Sequence, residues 1–191
     1  TDLISGFTQK SLRKWKRQAH EHCSFTVIRH PVARLHHAFV QHILMLSPKL
    51  YDHIRETLRT VYNVPLPDAD ASYDTDAHRT AFLAFAAFVK GNLAGQTSIR
   101  VDGAWASQTE FLQGMSKIML PTHIFRESQV SDGLDYLARQ LGRNPPTLVH
   151  TDESAPVALA DIYDSEVEAA VRSAYQRDYM MFGFGPWRVP A

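Results

Sequence analysis

The sequence predicts a helix-rich α/β domain, with long amphipathic helices around a short parallel sheet in a three-layer sandwich. Three observations predict it. Apolar residues recur mostly three and four positions apart, the period of a helix with one buried face. Short β-branched and aromatic runs at Ser24–Arg29 and Thr122–Arg126 read instead as buried strands. Strand and helix patterns alternate along the chain, which is the order of an α/β protein. The 191 residues fit one domain, 1–191, and 45% hydrophobic residues can fill its core. With 21% charged residues the composition excludes disordered and fibrous chains.

The elements follow in order. Leu3–Gln18 reads as a basic helix. Ser24–Arg29 is apolar on both faces, so Phe25, Val27 and Ile28 are expected inside the sheet. Pro31 opens a helix, where its missing N–H costs nothing, and Val32, Leu35, Phe39, Ile43 and Leu46 form its apolar stripe. Leu50–Tyr62 is a helix that stops before Pro65 and Pro67. His78–Asn92, rich in Ala, Phe and Leu, is a buried helix with Phe82, Phe85 and Phe88 in the core, ending at Gly91 and Gly95. Ser107–Gly114 is a short helix and Thr122–Arg126 the second strand. Ser131 starts a helix that Gly142 and Asn144-Pro145-Pro146 stop. Asp161–Phe182 reads as one long helix with Asp164, Glu166 and Glu168 near its positive end.

Twenty Lys and Arg balance twenty Asp and Glu, which argues against general affinity for nucleic acid or a membrane surface. A nucleic-acid contact through Lys10–Arg17 is weaker still, because Trp15 is the one aromatic residue interleaved there. The single cysteine, Cys23, excludes an internal disulfide and fits a reducing compartment. No apolar run reaches the roughly 20 residues that span a bilayer, and no charged-then-apolar leader opens the chain, so a soluble, cytoplasmic setting is expected. The first residue is Thr1, so the natural protein is expected to begin earlier. Charge is uneven, however. Seven basic residues against Glu21 lie between Lys10 and Arg34, and seven acids against Arg172 and Arg177 lie between Asp152 and Asp178. Such a basic front and acidic back suit either a local anion site or two solvated helix faces.

The stretch Arg29-His30-Pro31-Val32-Ala33-Arg34 carries the chemistry. A strand running into a helix N-terminus brings unpaired backbone N–H groups and the positive dipole end to one place. Arg29 closes the strand, and Arg34 and His37, three apart, share a helix face. The set can grip a phosphate. The alternative is that Arg29 and Arg34 pair with acids of the last helix.

The string from Phe25 to Phe39 resembles the 3'-phosphate-binding segment of sulfotransferases, closest to the carbohydrate and bacterial nodulation-type branch. Arg29, Pro31, Arg34 and Phe39 fall on matching positions. Trp105-Ala-Ser-Gln108 is similar to the family's Trp-x-x-Gln stretch, and His123-Ile-Phe-Arg-Glu127 to a strand-to-helix step. Tyr175-Gln-Arg-Asp178 through Phe182-Gly-Phe184 resembles the closing Tyr-x-x-Asp helix. The resemblance implies a P-loop-type sulfotransferase fold. It implies sulfuryl transfer from 3'-phosphoadenosine 5'-phosphosulfate to a glycan hydroxyl, without a metal. Arg29 and His37 would hold the 3'-phosphate with Arg34 bracing or assisting, and Trp105 and Gln108 would face the acceptor or the nucleotide, the alternative for Trp105 being a buried ring with its N–H satisfied.

Two departures qualify it. The family's Ser is His37 here, which can still donate one hydrogen bond and gains charge on protonation. The Lys- and Gly-containing loop for the 5'-phosphosulfate has only a superficial counterpart in Gly6–Ser11, so the strand-loop unit is expected upstream of Thr1 or missing. A sheet edge left bare in that way invites pairing with a second copy of the chain. The general base has no clear position: Phe7 stands roughly where a His is expected, and His20 and His22 are nearest. His20-Glu21-His22-Cys23 lacks a fourth ligand at metal spacing and reads as surface, as do His36 and His42. The competing reading is a non-catalytic binding domain that keeps the fold and has lost the donor site.

Overall fold

Helix starts follow local chemistry. In the computed structural model, which describes residues 6, 8–19, 22–45, 49–67, 72–148 and 155–189, the chain order is α1 (Gln9–Gln18), β1 (Phe25–Ile28), α2 (Pro31–Ala38), α3 (Asp52–Thr60), α4 (Thr75–Leu93), α5 (Gln108–Ser116), β2 (His123–Arg126), α6 (Val130–Gln140), α7 (Leu159–Ile162), α8 (Ser165–Ala174) and α9 (Gln176–Phe182). A π-helical turn, Phe39–Leu44, prolongs α2. Thr8 and Ser11 close a capping box on α1, Asp74 caps α4 through the Ala77 N–H, and Pro31 takes the first position of α2. The fold is helix-rich α/β with a short two-stranded parallel sheet. Leu46, Phe7, His20 and Glu21 lie outside the described residues.

The expected single helix Asp161–Phe182 is three helices. Asp164 turns its carboxylate onto the Glu166 and Val167 N–H groups and so begins α8 instead of riding on a longer helix. Tyr175, with φ −114° and ψ 34°, breaks the path between α8 and α9. Gly183 in the left-handed region then ends α9.

The chain forms two compact units. The first, Thr1–Ile28 with Glu110–Pro145, holds β1 and β2 in parallel register from Phe25 opposite His123 to Ile28 opposite Arg126. The expectation of an inner strand fails here. Phe25 is 47% and Val27 41% exposed, while Ile28 is buried. Along β1 the exposed Phe25 and Val27 alternate with half-buried Thr26 and buried Ile28, so the strand has one covered face, not two. Phe25 keeps one aromatic neighbour, Phe125, at 5.9 Å between ring centres. On α6, Gly133 lets the helix backbone lie directly on the Phe125 ring, where an added Cβ would sit 2.6 Å from a ring carbon.

The second unit, Arg29–Thr109 with Pro146–Ala191, is the helical body. Val32, Leu35 and Phe39 from the α2 segment, Phe82, Phe85 and Val89 from α4, and Val167 and Val171 from α8 are all sealed from solvent. Each such side chain contributes about 1.5–3 kcal/mol of burial. Phe88 joins them, so the three phenylalanines of α4 are core as their spacing predicts. His36 departs from its expected surface position: it is buried against His78, because it lies four residues after Val32 and three before Phe39 and so shares their buried stripe. His42 is half-buried and stacks on Tyr51. No helix of the described residues is long and apolar enough to cross a membrane.

Candidate anion-binding site

Arg29 follows β1 directly and His30 caps α2. The His30 Nδ1 accepts from the Val32 N–H at 3.3 Å. Its Nε2–H donates to the Gly185 carbonyl at 3.0 Å, and the ring lies edge-on to Tyr179 and Phe184. The Arg34 N–H bonds the His30 carbonyl at 2.9 Å. The expected run of unpaired N–H groups is therefore mostly absent. Pro31 has none and His30 takes the next, so Ala33 is at most the one left in the first turn.

What fixes the junction is a side chain. The Gln108 amide pairs with the main chain of Arg29 in both directions: Oε1 accepts the Arg29 N–H at 2.9 Å and Nε2 donates to the Arg29 carbonyl at 2.9 Å. Gln108 is held in turn by Asp178, which is fully buried. The Asp178 carboxylate accepts from the Gln108 N–H (2.9 Å), the Thr109 N–H (2.9 Å) and the Ser107 hydroxyl (2.7 Å), so it caps the start of α5 from another helix. One turn earlier on the same side, the Tyr175 hydroxyl donates to the Trp105 carbonyl at 2.7 Å. Burial pushes that phenol above its ordinary range. Tyr175-x-x-Asp178 thus docks on Trp105-x-x-Gln108, and Gln108 docks on Arg29.

The model of the sulfotransferase family matches residues 3–185. The chain belongs to the sulfotransferase family. No curated protein and no solved structure matches it at a significant level.

Three of the four sulfotransferase segments singled out by sequence, those of Arg29, Trp105–Gln108 and Tyr175–Asp178, are therefore joined by hydrogen bonds within the helical unit, while His123–Glu127 lies in the sheet unit. Arg29, Arg34 and His37 are half-buried. Arg34 reaches carbonyls, not acids of the last helices: its terminal nitrogens donate to Ala106 at 2.6 Å and Gly103 at 2.9 Å. Trp105 is fully buried and its indole N–H donates to Asn92 Oδ1 at 2.8 Å. Gln108 is also buried, against Arg29. Elsewhere, His22 hydrogen-bonds the Ala19 carbonyl, and exposed Cys23 lies 3.4 Å from His123 Nδ1. No group of three or more metal-binding side chains occurs among the described residues. Sequence reasoning missed Asp178 as a site support. Its signal was the Tyr175-x-x-Asp178 spacing, in which Tyr175 flanks the start of α9 and Asp178 falls in that helix's first turn.

Proposed function

We propose that this chain transfers a sulfuryl group from 3'-phosphoadenosine 5'-phosphosulfate to a hydroxyl of a glycan-type acceptor, within the carbohydrate, nodulation-type branch of the family. The observation that carries the reading is the Arg29 main chain, clamped by Gln108 where β1 gives way to α2. A main chain so fixed launches the Arg29 side chain from a defined point at a positive helix end, as recognition of a terminal phosphate needs. Arg29 and His37 take the 3'-phosphate. Arg34 braces the Gly103–Ala106 turn that leads into Gln108. Trp105 and Gln108, buried as they are, serve substrate binding by shaping this turn from within. Sulfuryl transfer itself calls for an in-line arrangement of donor and acceptor oxygens and for cations facing the charged oxygens.

Calorimetry with adenosine 3',5'-bisphosphate tests the reading. A charge-assisted contact contributes roughly 1.5–3 kcal/mol, so Arg29→Ala weakens binding by about one to two decades. A wild-type chain with no affinity, in the full-length protein, makes it a non-catalytic binding domain on the same fold. The replacement of the family's Ser by His37 favours that second reading.

A further inference from the structure

We propose that Asp178 is a positioning residue for the anion site, acting through Gln108 on the main chain of Arg29. The inference rests on the reading of Arg29 as a phosphate ligand but can be tested apart from it. The Asp178 oxygens accept from Ser107, Gln108 and Thr109, and of these Gln108 pairs with the main chain of Arg29. Those three bonds fix the first turn of α5 and with it the direction in which the Gln108 side chain leaves the backbone. The amide at the end of that side chain has only one useful orientation. Its oxygen must face the Arg29 N–H and its nitrogen the Arg29 carbonyl, both at 2.9 Å. A turn of α5 free to shift by a fraction of an ångström lengthens both contacts at once, and Arg29 loses the pairing that follows the end of β1. A buried carboxylate also has no solvent to fall back on, so its three donors are held tightly. The relay Asp178–Gln108–Arg29 explains why a carboxylate stands on α9, remote in sequence from the segment it serves.

Two readouts decide the proposal. The first needs no ligand: hydrogen exchange at the Arg29 amide, followed by NMR. Asp178→Asn places an NH2 or a lone oxygen where two acceptors stood, and Gln108→Met deletes both bonds to Arg29 at similar volume. Both variants lose protection at Arg29 by at least tenfold while the Trp105 indole N–H keeps its own. Unchanged protection of Arg29 in folded Asp178→Asn overturns the relay. The second readout is calorimetric titration with adenosine 3',5'-bisphosphate. Asp178→Asn raises Kd about tenfold with unchanged stoichiometry, the scale on which orienting partners of metal ligands act. In the Gln108→Met background the same change adds little, because the path through Gln108 is already cut. Equal losses in both backgrounds, or a fall in stoichiometry at constant Kd, mean a merely structural carboxylate and sink the proposal. Should Asp178→Asn not fold, Ser107→Ala removes one of the three donors and gives partial deprotection at Arg29; no change there is equally fatal. A wild-type chain that ignores the nucleotide overturns the functional reading, while the exchange data still judge the relay.

Discussion

The imidazoles of His36 and His78 meet Nε2 to Nε2 at 2.9 Å inside the helical unit, with His78 wholly sealed from solvent. One ring must donate and the other accept, so the contact requires that at least one of the two rings keep its Nε2 unprotonated. Phe39, Tyr73 and Phe82 surround the pair with aromatic edges.

Burial pushes the His78 imidazole down to about 4 from 6.5. The folded chain therefore binds its proton later than the unfolded chain as pH falls. Stability from this group is complete above about 6.5 and drains away between there and about 4. The full loss is on the order of 3 kcal/mol. Urea unfolding at pH 7.0 and 4.5 should show it, and His36→Leu with His78→Phe should flatten that part of the profile. An unchanged slope in the double variant would leave the carboxylates as its source.

His37 bears on binding. On the proposed reading it donates one hydrogen bond to the 3'-phosphate, and a serine hydroxyl at the same position can also donate one. In His37→Ser, which restores the family's residue, bisphosphate affinity should therefore persist. Calorimetry with adenosine 3',5'-bisphosphate checks it, and a loss as large as that of Arg29→Ala would mean that the imidazole makes a contact serine cannot replace.

Trp105 anchors the turn that presents Gln108. Trp105→Ala empties a fully buried site and should cost about 3–5 kcal/mol. Trp105→Phe keeps most of the ring and strips Asn92 Oδ1 of the indole donor, for a cost of about 1–3 kcal/mol. Chemical denaturation orders the two. A negligible cost for Trp105→Phe would show that the Asn92 contact contributes nothing.

In the sheet unit, Gly133→Ala should destabilise on balance, because the new methyl meets the Phe125 ring at its root and such overpacking costs about 1–3 kcal/mol. This outweighs the ~1 kcal/mol that Ala normally gains over Gly in a helix. Thermal unfolding of the variant settles the sign. A stabilised variant would mean that the ring yields freely.

Features governed by neighbours along the chain were legible in the sequence. Pro31 at a helix start and the phenylalanine spacing of α4 depend on rules that act within one or two turns. Asp164 misled for the same reason in reverse: an acid near a helix start looks identical whether it rides on the helix or begins it. Burial of Phe25 and Val27 depended on how many strands and layers surround β1, which no local pattern encodes. The Gln108 clamp joins positions 79 apart, and the Asp178 cap joins positions 70 apart. Their residue types marked all three segments as notable, yet spacing alone could not say that they touch.

His30 spends both ring nitrogens, one receiving a proton from Val32 and one giving a proton to Gly185. The ring is thus a latch that works with a single hydrogen count. It ties the first turn of α2 to the chain beyond α9, two stretches separated by most of the sequence. Any side chain that lacks either an acceptor on one edge or a donor on the other unfastens at least one of the two stretches, so the entrance to α2 and the chain after α9 share one fastening.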